Sequence, residues 1–436
     1  MRLSVVLRRF VQKRFELSGF VLIAVGILVL QAPFASATET RMSTLQGIPG
    51  AQDEVEVYTY PSAASRYELA LVELGTSGDK EVYGGALAKI NGIHAGAFVS
   101  RNDWLFSESL IGTTASLFDR FESAATSSDA ATPQLLKGPE RPFELIGAMP
   151  MANGVFGVRL AYAAVNSSQK KEDLGVSSSA KQSGDHIQLG VGYTMGTIDL
   201  GFTIDPSFKQ SRKDTAGGAT TSTEAKGKLS VGLNGRWLQS ADSSGLYGAG
   251  AIHTRTIDAK SSSAGASESS KFEDRVITVE GGYAALTRNK TANLFTGAVL
   301  TNVLSKGPTV TGIGEKMVPS YLTSDKRAEV KTTVVAGALS GEADVAGGVG
   351  AMMGLHYILF GSIAEDDDTT GKKIKTEKTF AETSDSALWS LGVYYKVDAL
   401  RVDASYGKEF LHNGPFLVSG AATKPLLARI SARYAF

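Results

Sequence analysis

The sequence predicts an all-β fold, a transmembrane antiparallel up-and-down β-barrel of about sixteen strands, with fourteen as the alternative. Three observations predict it. An export signal opens the chain. Strand after strand alternates apolar residues with small or polar ones. The connections between strands alternate short with long, and the pattern runs to the last residue.

Composition narrows the classes first. Lys+Arg and Asp+Glu both number 44, so the basic surplus of a nucleic-acid binder is missing. Charged residues make up 20%, below the usual quarter, yet mean hydropathy is −0.02, which suits neither a helical membrane protein nor a very polar one. There is no Cys, which excludes disulfides, thiolate metal sites and Cys nucleophiles.

The N-terminus reads as a secretory signal peptide over residues 1–37. Arg2, Arg8, Arg9, Lys13 and Arg14 form a basic region, Phe20 to Leu30 an apolar one, and Ala35-Ser36-Ala37 a small-x-small cleavage site. The apolar stretch is short for a spanning helix. Cleavage after Ala37 removes five basic residues and Glu16, which leaves a slight acidic surplus.

The strand pattern follows from about residue 67. Ile198, Leu200, Phe202 and Ile204 fall on one face, Asp199, Gly201, Thr203 and Asp205 on the other. Leu229, Val231, Leu233 and Trp237 oppose Lys228, Ser230, Gly232, Asn234 and Arg236. Phe156, Val158, Leu160 and Tyr162 oppose Gly157, Arg159 and Ala161. Trp389 to Val397 and Leu400 to Tyr406 alternate in the same way, with Lys396, Arg401 and Asp403 on the polar side. Lipid offers no hydrogen-bond partners, so a spanning sheet must close on itself and turn its apolar face outward. A soluble sandwich that buries the apolar face and solvates the other shows the same alternation, so the connections must decide.

Short turns are expected at Asn91-Gly92, Ala152 to Gly154, Gly196, Ala241 to Gly245, Arg288 to Asn293, Gly341 to Ala346 and Asp398-Ala399. Asn-Gly is a strong two-residue hairpin signal, since both positions need positive φ. Long polar loops are expected near 101–142, 166–184, 210–225, 259–272, 306–328, 362–385 and 409–424. Short turns on the periplasmic side and long extracellular loops are the habit of transmembrane barrels. The strand centres fall near 70, 86, 96, 146, 160, 190, 201, 233, 251, 279, 299, 335, 354, 392, 404 and 431, and an even number returns both termini to one side. The first pair is the weakest, and without it the number is fourteen.

The chain ends Arg429-Ile430-Ser431-Ala432-Arg433-Tyr434-Ala435-Phe436. An aromatic last residue, Phe436, with a second aromatic, Tyr434, two before it resembles the terminal β-signal of bacterial outer-membrane proteins. The resemblance implies that Tyr434 and Phe436 are an assembly signal read by the barrel-assembly machinery, and that the chain is exported to the outer membrane of a bacterium with two membranes. The physical need is plain: the last strand must pair with the first to remove the edges of the sheet.

Residues 38–66 precede the barrel of residues 67–436. They contain Arg41, Leu45, Gly47, Gly50, Asp53 and then Tyr60-Pro61-Ser62. The spacing resembles the N-terminus of long-chain fatty-acid transporter-like barrels, in which a Gly-rich stretch, an acidic residue and an Asn-Pro-like pair precede the first strand and the segment plugs the lumen. Tyr60 departs from that pattern where Asn is expected, and the glycines are not adjacent. The alternative is a periplasmic tail that leads into the first strand. Residues 103–124 place Leu110, Leu117, Phe118 and Phe121 at helix-like spacing, a loop helix that either narrows the lumen or caps it.

Little in the chain suggests catalysis. His94, His186, His253, His356 and His412 stand at no metal-ligand spacing, and neither H-E-x-x-H nor G-x-S-x-G occurs. His186 beside Asp185, and His412, read as rim or loop histidines. Asp366-Asp367-Asp368 reads as a solvated charge cluster. No catalytic, metal or cofactor site is expected, and no enzyme.

The lumen-lining candidates are Arg159, Asp199, Asp205, Lys228, Arg236, Glu280, Lys396, Arg401, Asp403, Arg429 and Arg433. They serve either a water-filled pore or, by pairing with one another, a plugged lumen. Their mixed signs argue against strong ion selectivity. The expected function is a passive channel for small solutes. The alternatives are a plugged transporter of hydrophobic molecules and a structural or surface-binding barrel without transport. The expected partners are outer-membrane lipid and lipopolysaccharide, the assembly machinery and small solutes, with no nucleic acid. A homo-oligomer is compatible with the pattern, since trimer contacts and lipid both select apolar faces.

Overall fold

The computed structural model describes residues 39–45, 53–75, 82–99, 143–173, 176–216, 219–240, 244–263, 266–286, 291–308, 310–311, 318–319, 327–367, 374–380, 387–406 and 427–436. The export signal, the 103–124 segment, Asp368 and His412 lie outside these residues.

The wall is a closed antiparallel barrel of sixteen strands. They are β1 (Leu69–Gly75), β2 (Val82–Ile90), β3 (Ile93–Val99), β4 (Phe143–Met151), β5 (Gly154–Asp173), β6 (Val176–Met195) and β7 (Ile198–Ala216). Next come β8 in two segments (Ala219–Gly227 and Ser230–Leu238), β9 (Gly245–Ser263), β10 (Ala266–Leu286), β11 (Ala292–Pro308) and β12 (Arg327–Ala346). The last four are β13 (Val349–Asp367), β14 in two segments (Ile374–Phe380 and Ala387–Val397), β15 (Leu400–Tyr406) and β16 (Leu427–Ala435). Each strand pairs with its sequence neighbour. The seam closes between β1 and β16, from Leu69 opposite Ala435 to Gly75 opposite Arg429. The first strand pair therefore belongs to the wall, and the count is sixteen rather than fourteen.

Alternation sorts the faces as a barrel requires. Val72, Leu145, Leu160, Leu200, Leu233, Leu300 and Val393 are exposed on the outside, while their neighbours Glu73, Glu144, Arg159, Asp199, Asn234, Thr301 and Tyr394 are buried inside. An apolar belt around a closed sheet with polar groups turned inward is a lipid-facing surface. One rim carries the tight turns. Asn91 and Gly92 adopt φ of 50° and 83°, as their sequence demands, and Ala152, Gly196 and Asp398 also take positive φ there.

Two expectations about connections are corrected. The stretch Gly341 to Ala346 is not a turn: β12 continues to Ala346, and the turn is made by Gly347 and Gly348, at φ 58° and 81°. Adjacent glycines tolerate that geometry without strain. The correction puts Glu342 on a strand. The polar stretches 166–184, 210–225 and 259–272 are not irregular either. The ladder between β5 and β6 runs unbroken to Asp173 opposite Val176, and those of β7 with β8 and β9 with β10 run to Ala216 opposite Ala219 and Ser263 opposite Ala266. Twenty residues at about 3.3 Å each exceed the thickness of a hydrocarbon core more than twofold. Beyond the bilayer both faces meet water, so apolar alternation stops while hydrogen bonding continues.

The register shift between β6 and β7 also has a local cause. Pro206 has no N–H for the ladder, and the pairing slips there, so that Asp205 and Pro206 of β7 bulge opposite the single, buried Gln188 of β6.

Candidate lumen site

The N-terminal segment lies inside the barrel. It has two described parts: α1 (Glu39–Thr44) with Leu45, and residues 53–66, which hold α2 (Glu56–Thr59) and a 3₁₀ turn (Pro61–Arg66). These helices are too short to stand alone, so the wall must hold them.

The second part is held by shape. Gly157 of β5, Gly192 of β6 and Gly201 of β7 are direct cross-strand neighbours and form a row across three strands. The chain from Thr59 to Ser62 lies against this row. A Cβ on Gly157 would stand 2.2 Å from the Pro61 carbonyl carbon, one on Gly192 2.8 Å from the Ser62 nitrogen, and one on Gly201 2.2 Å from the Thr59 oxygen. Only residues without side chains permit that approach. An apolar sector completes the seat: Val57, Tyr58, Tyr60, Ala63 and Ala64 pack with Leu69, Leu71, Leu87, Phe98 and Ile146 of the wall.

Charge then fixes the register. Asp199 of β7 and Arg236 of β8 are cross-strand partners and bond at 2.6 Å. Glu56 joins Arg236 from the lumenal segment, and Arg66 bridges Glu56 at 2.7 Å and Asp199 at 2.6 Å. The Tyr60 ring lies 5.1 Å from the Arg236 guanidinium, and burial pushes its phenol up to about 12. Burial also raises Tyr67, aided by the Glu56 carboxylate that accepts its hydroxyl hydrogen. For Arg66 burial acts against the charge, but Glu56 and Asp199 outweigh it and raise the pKa. Nearby, Arg159 donates to Glu144 at 2.8 Å, to Gln188 at 2.8 Å and to the Tyr58 carbonyl at 3.0 Å. Gln188 passes the chain on to Asp205 at 2.8 Å.

The first part docks on the opposite wall. Arg41 forks onto Glu342 of β12, at 2.8 Å from Nε and 2.6 Å from Nη2, and reaches Asp53 at 3.4 Å. Burial works against the Arg41 charge, and the Glu342 carboxylate outweighs it. Ser390 and Ser340 donate to the carbonyls of Thr44 and Leu45 at 2.6 and 2.7 Å, and the Thr40 amide donates to Glu73 at 3.2 Å. Arg401 of β15 donates to Asp403 at 2.7 Å and Glu342 at 3.3 Å, and Arg433 of β16 stands 3.7 Å from Glu54. Burial raises Asp53, and burial with the Asp53 carboxyl beside it raises Glu54 well above the usual range. Arg401 on β15 and Asp199 on β7 are eight strands apart in a sixteen-strand ring, so the segment crosses the lumen from wall to wall.

Of the expected lumen residues, Arg159, Asp199, Asp205, Arg236, Glu280, Arg401, Asp403 and Arg433 are buried inside. Lys396 pairs with Asp344 at 3.4 Å and Arg429 with Glu73 at 3.5 Å, both partly exposed. Glu280 stands apart from the ion-pair network, with the Tyr247 hydroxyl 3.4 Å away. Lys228 is not part of the cluster: it lies at the interruption of β8, exposed and paired with Asp258 at 3.0 Å. Sequence reasoning missed Glu73, Glu144, Gln188 and Glu342, and it assigned no seat to Gly157, Gly192 and Gly201. Alternation alone reveals Glu73 and Glu144; Glu342 was hidden by the misplaced turn.

The fold and the inward charge network define a class, a closed sixteen-strand antiparallel barrel of the outer-membrane type. No family model matches the chain, and no curated protein matches it. Solved structures with a similar fold include the ferric yersiniabactin uptake receptor from Yersinia pestis, at 11% identity over 84% of this chain and 80% of that one, with a TM-score of 0.31. The translocator domain of an autotransporter from Neisseria meningitidis matches at 13% identity, over 66% of this chain and 90% of that one, with a TM-score of 0.26. The transport unit of an autotransporter from Escherichia coli matches at 14%, 65% and 91%, with a TM-score of 0.28. The likeness is one of fold.

Proposed function

We propose that this chain is a gated outer-membrane channel for small solutes, closed at its short-turn rim by residues 39–45 and 53–66. The observation that carries the reading is the segment's attachment to two separate sectors of the wall, by Arg41 to Glu342 of β12 and by Glu56 and Arg66 to Arg236 of β8 and Asp199 of β7. A permanently open passive channel has no use for a segment held across its lumen by buried ion pairs. Each such pair is costly to break, because one partner is left charged and unpaired. The reading includes export through the secretory pathway, an apolar belt in lipid, and no catalytic group.

One observation favours a second reading, a transporter of hydrophobic molecules. The wall beneath Tyr58 and Tyr60 is apolar from β1 to β4, through Leu69, Leu71, Leu87, Phe98 and Ile146. Release of the segment would bare that sector.

Single-channel conductance of the folded chain in a planar bilayer tests both readings. The gated channel requires brief, rare openings in the wild type and long, steady ones when residues 39–66 are deleted. Equal, steady conductance in both proteins would remove the gate. A deleted form that stays closed to ions but passes a fluorescent fatty acid into vesicles would favour the second reading.

A further inference from the structure

The long hairpins carry their charges beyond the bilayer, and the ladder between β10, β11 and β12 sets opposite signs side by side: Lys306 lies between Glu273 and Glu329. Two lysines of β7 stand instead directly opposite a lysine of a neighbour. Lys209 faces Lys226 of β8, and Lys213 faces Lys181 of β6. Like charges opposite each other in a ladder repel. The first pair is compensated within its own row, which runs Asp185, Lys209, Lys226 and Asp258 across four strands. The second is not: its row runs Ser168, Lys181, Lys213 and Ser222.

Lys181 and Lys213 are exposed, as is Lys170 of β5, which stands opposite Ser179, two residues from Lys181. Among the described residues no carboxylate pairs with Lys170, Lys181 or Lys213. The row beyond the pair runs Lys170, Ser179, Thr215 and Thr220, and the row below it Asn166, Ser183, Ser211 and Glu224. Glu224 is committed elsewhere: it pairs with Lys226 at 3.4 Å and stands opposite Lys260 of β9. The patch also stands clear of the lipid. On these strands the outward apolar belt ends at Tyr162 and Ile187, which are cross-strand partners. Lys181 lies six residues beyond Ile187, about 20 Å along the strand and about 15 Å above the belt at the usual barrel tilt. A lipid headgroup layer is only about 5–8 Å deep. An anion at the height of this row is therefore carried on sugars built out from the lipid, not on the lipid headgroup itself.

We propose that Lys170, Lys181 and Lys213, with the hydroxyls of Ser168 and Ser222, bind phosphate groups on a glycan of the outer leaflet. A phosphate monoester carries close to two negative charges and several strong acceptor oxygens. It meets the two opposed ammonium groups as Asp185 and Asp258 meet the pair below, and the flanking hydroxyls donate to its remaining oxygens. The site needs the long hairpins to lie outside, as is the habit of such barrels, and it does not depend on the lumenal segment.

The test is titration of the full folded chain, in detergent, with fluorescent lipopolysaccharide whose core sugars are phosphorylated. The double variant Lys181→Gln, Lys213→Gln is expected to bind about tenfold more weakly than the wild type, the weight of one charge-assisted hydrogen bond. Lys209→Gln, in the compensated row, is expected to bind as the wild type does. Removing the core phosphates with a phosphatase is expected to weaken binding to the wild type by the same factor and to leave the double variant unaffected. Equal affinity of the double variant and the wild type overturns the site. Equal affinity for the phosphorylated and dephosphorylated glycan overturns the phosphate. Competition by phosphatidylglycerol or by inorganic phosphate in the concentration range of the glycolipid overturns the glycan as its source. Lys213→Glu checks the repulsion separately: it sets opposite signs across the row, so it is expected to raise the unfolding temperature in detergent free of glycolipid and to lose binding. An unfolding temperature that does not rise would mean that the lysine pair is already compensated, and the need for an anion falls with it.

Discussion

Arg41 and Glu342 are 301 residues apart in the chain and meet through two parallel hydrogen bonds, 2.8 and 2.6 Å long, inside the barrel. Both side chains are only 7% exposed. This pair holds the first part of the lumenal segment against β12, and it is the natural place to cut. Arg41→Ala leaves Glu342 buried without its main partner, a loss of about 3–5 kcal/mol for a broken buried pair. Hydrogen exchange over residues 39–45 should become fast while the strand amides stay protected. Unchanged protection in the variant would show that this pair is not the latch.

The glycine row offers a cut that leaves every charge in place. Gly201→Ala puts a methyl group 2.2 Å from the Thr59 oxygen, too close for the turn to stay. Overpacking of this kind costs about 1–3 kcal/mol, and in a strand Ala is otherwise no worse than Gly. The barrel should keep its heat-modifiable migration on gels, while proteolysis between residues 53 and 66 becomes rapid. A variant as resistant as the wild type would mean that the wall yields and the row is not a seat.

The buried acids predict the pH response of docking. Burial raises Asp53 and Glu54, and the Asp53 carboxyl adds to the rise at Glu54. A carboxyl whose pKa is higher when docked holds its proton more tightly docked than free. It therefore supports docking fully below its free pKa, about 4, and that support fades as pH rises through the raised value. Conductance should accordingly increase from acid toward alkaline pH, and Glu54→Gln should flatten the curve. A conductance that grows toward acid would contradict the assignment.

The seam makes a separate prediction about assembly. Tyr434 pairs with Ala70 and Leu400, and the Phe436 amide donates to the Glu68 carbonyl at 3.0 Å, so the last residues close the ring. Phe436→Ala keeps these backbone bonds and removes only the terminal aromatic. If the terminal strand is the signal that the assembly machinery reads, the variant should accumulate unfolded in cells yet refold normally in detergent. Normal assembly in cells would end that reading.

Most of the wall was legible in the chain because barrel geometry is written locally. Val72 and Glu73, or Leu200 and Asp199, declare their faces by a period of two, and Asn91-Gly92 declares its turn by the φ it needs. All sixteen strand centres and the inward direction of Arg236, Arg401 and Arg433 follow from such neighbours. The errors fell where the local signal fades. Beyond the bilayer both faces are wet, so the polar hairpin after β5 read as a loop. Gly341 suggested a turn that Gly347 and Gly348 make instead, and Glu342 was lost with it.

By itself, the sequence determined a closed antiparallel barrel with apolar residues outward and charges inward, because lipid imposes that order on every strand separately. Only the tertiary structure decided what the inward charges are for. Arg66 finds Asp199 from 133 residues away, and Gly157, Gly192 and Gly201 become one trough only when three strands align. Partners of that kind are chosen by closure of the ring, which brings distant residues into one small, water-poor volume where an unpaired charge is too costly to keep.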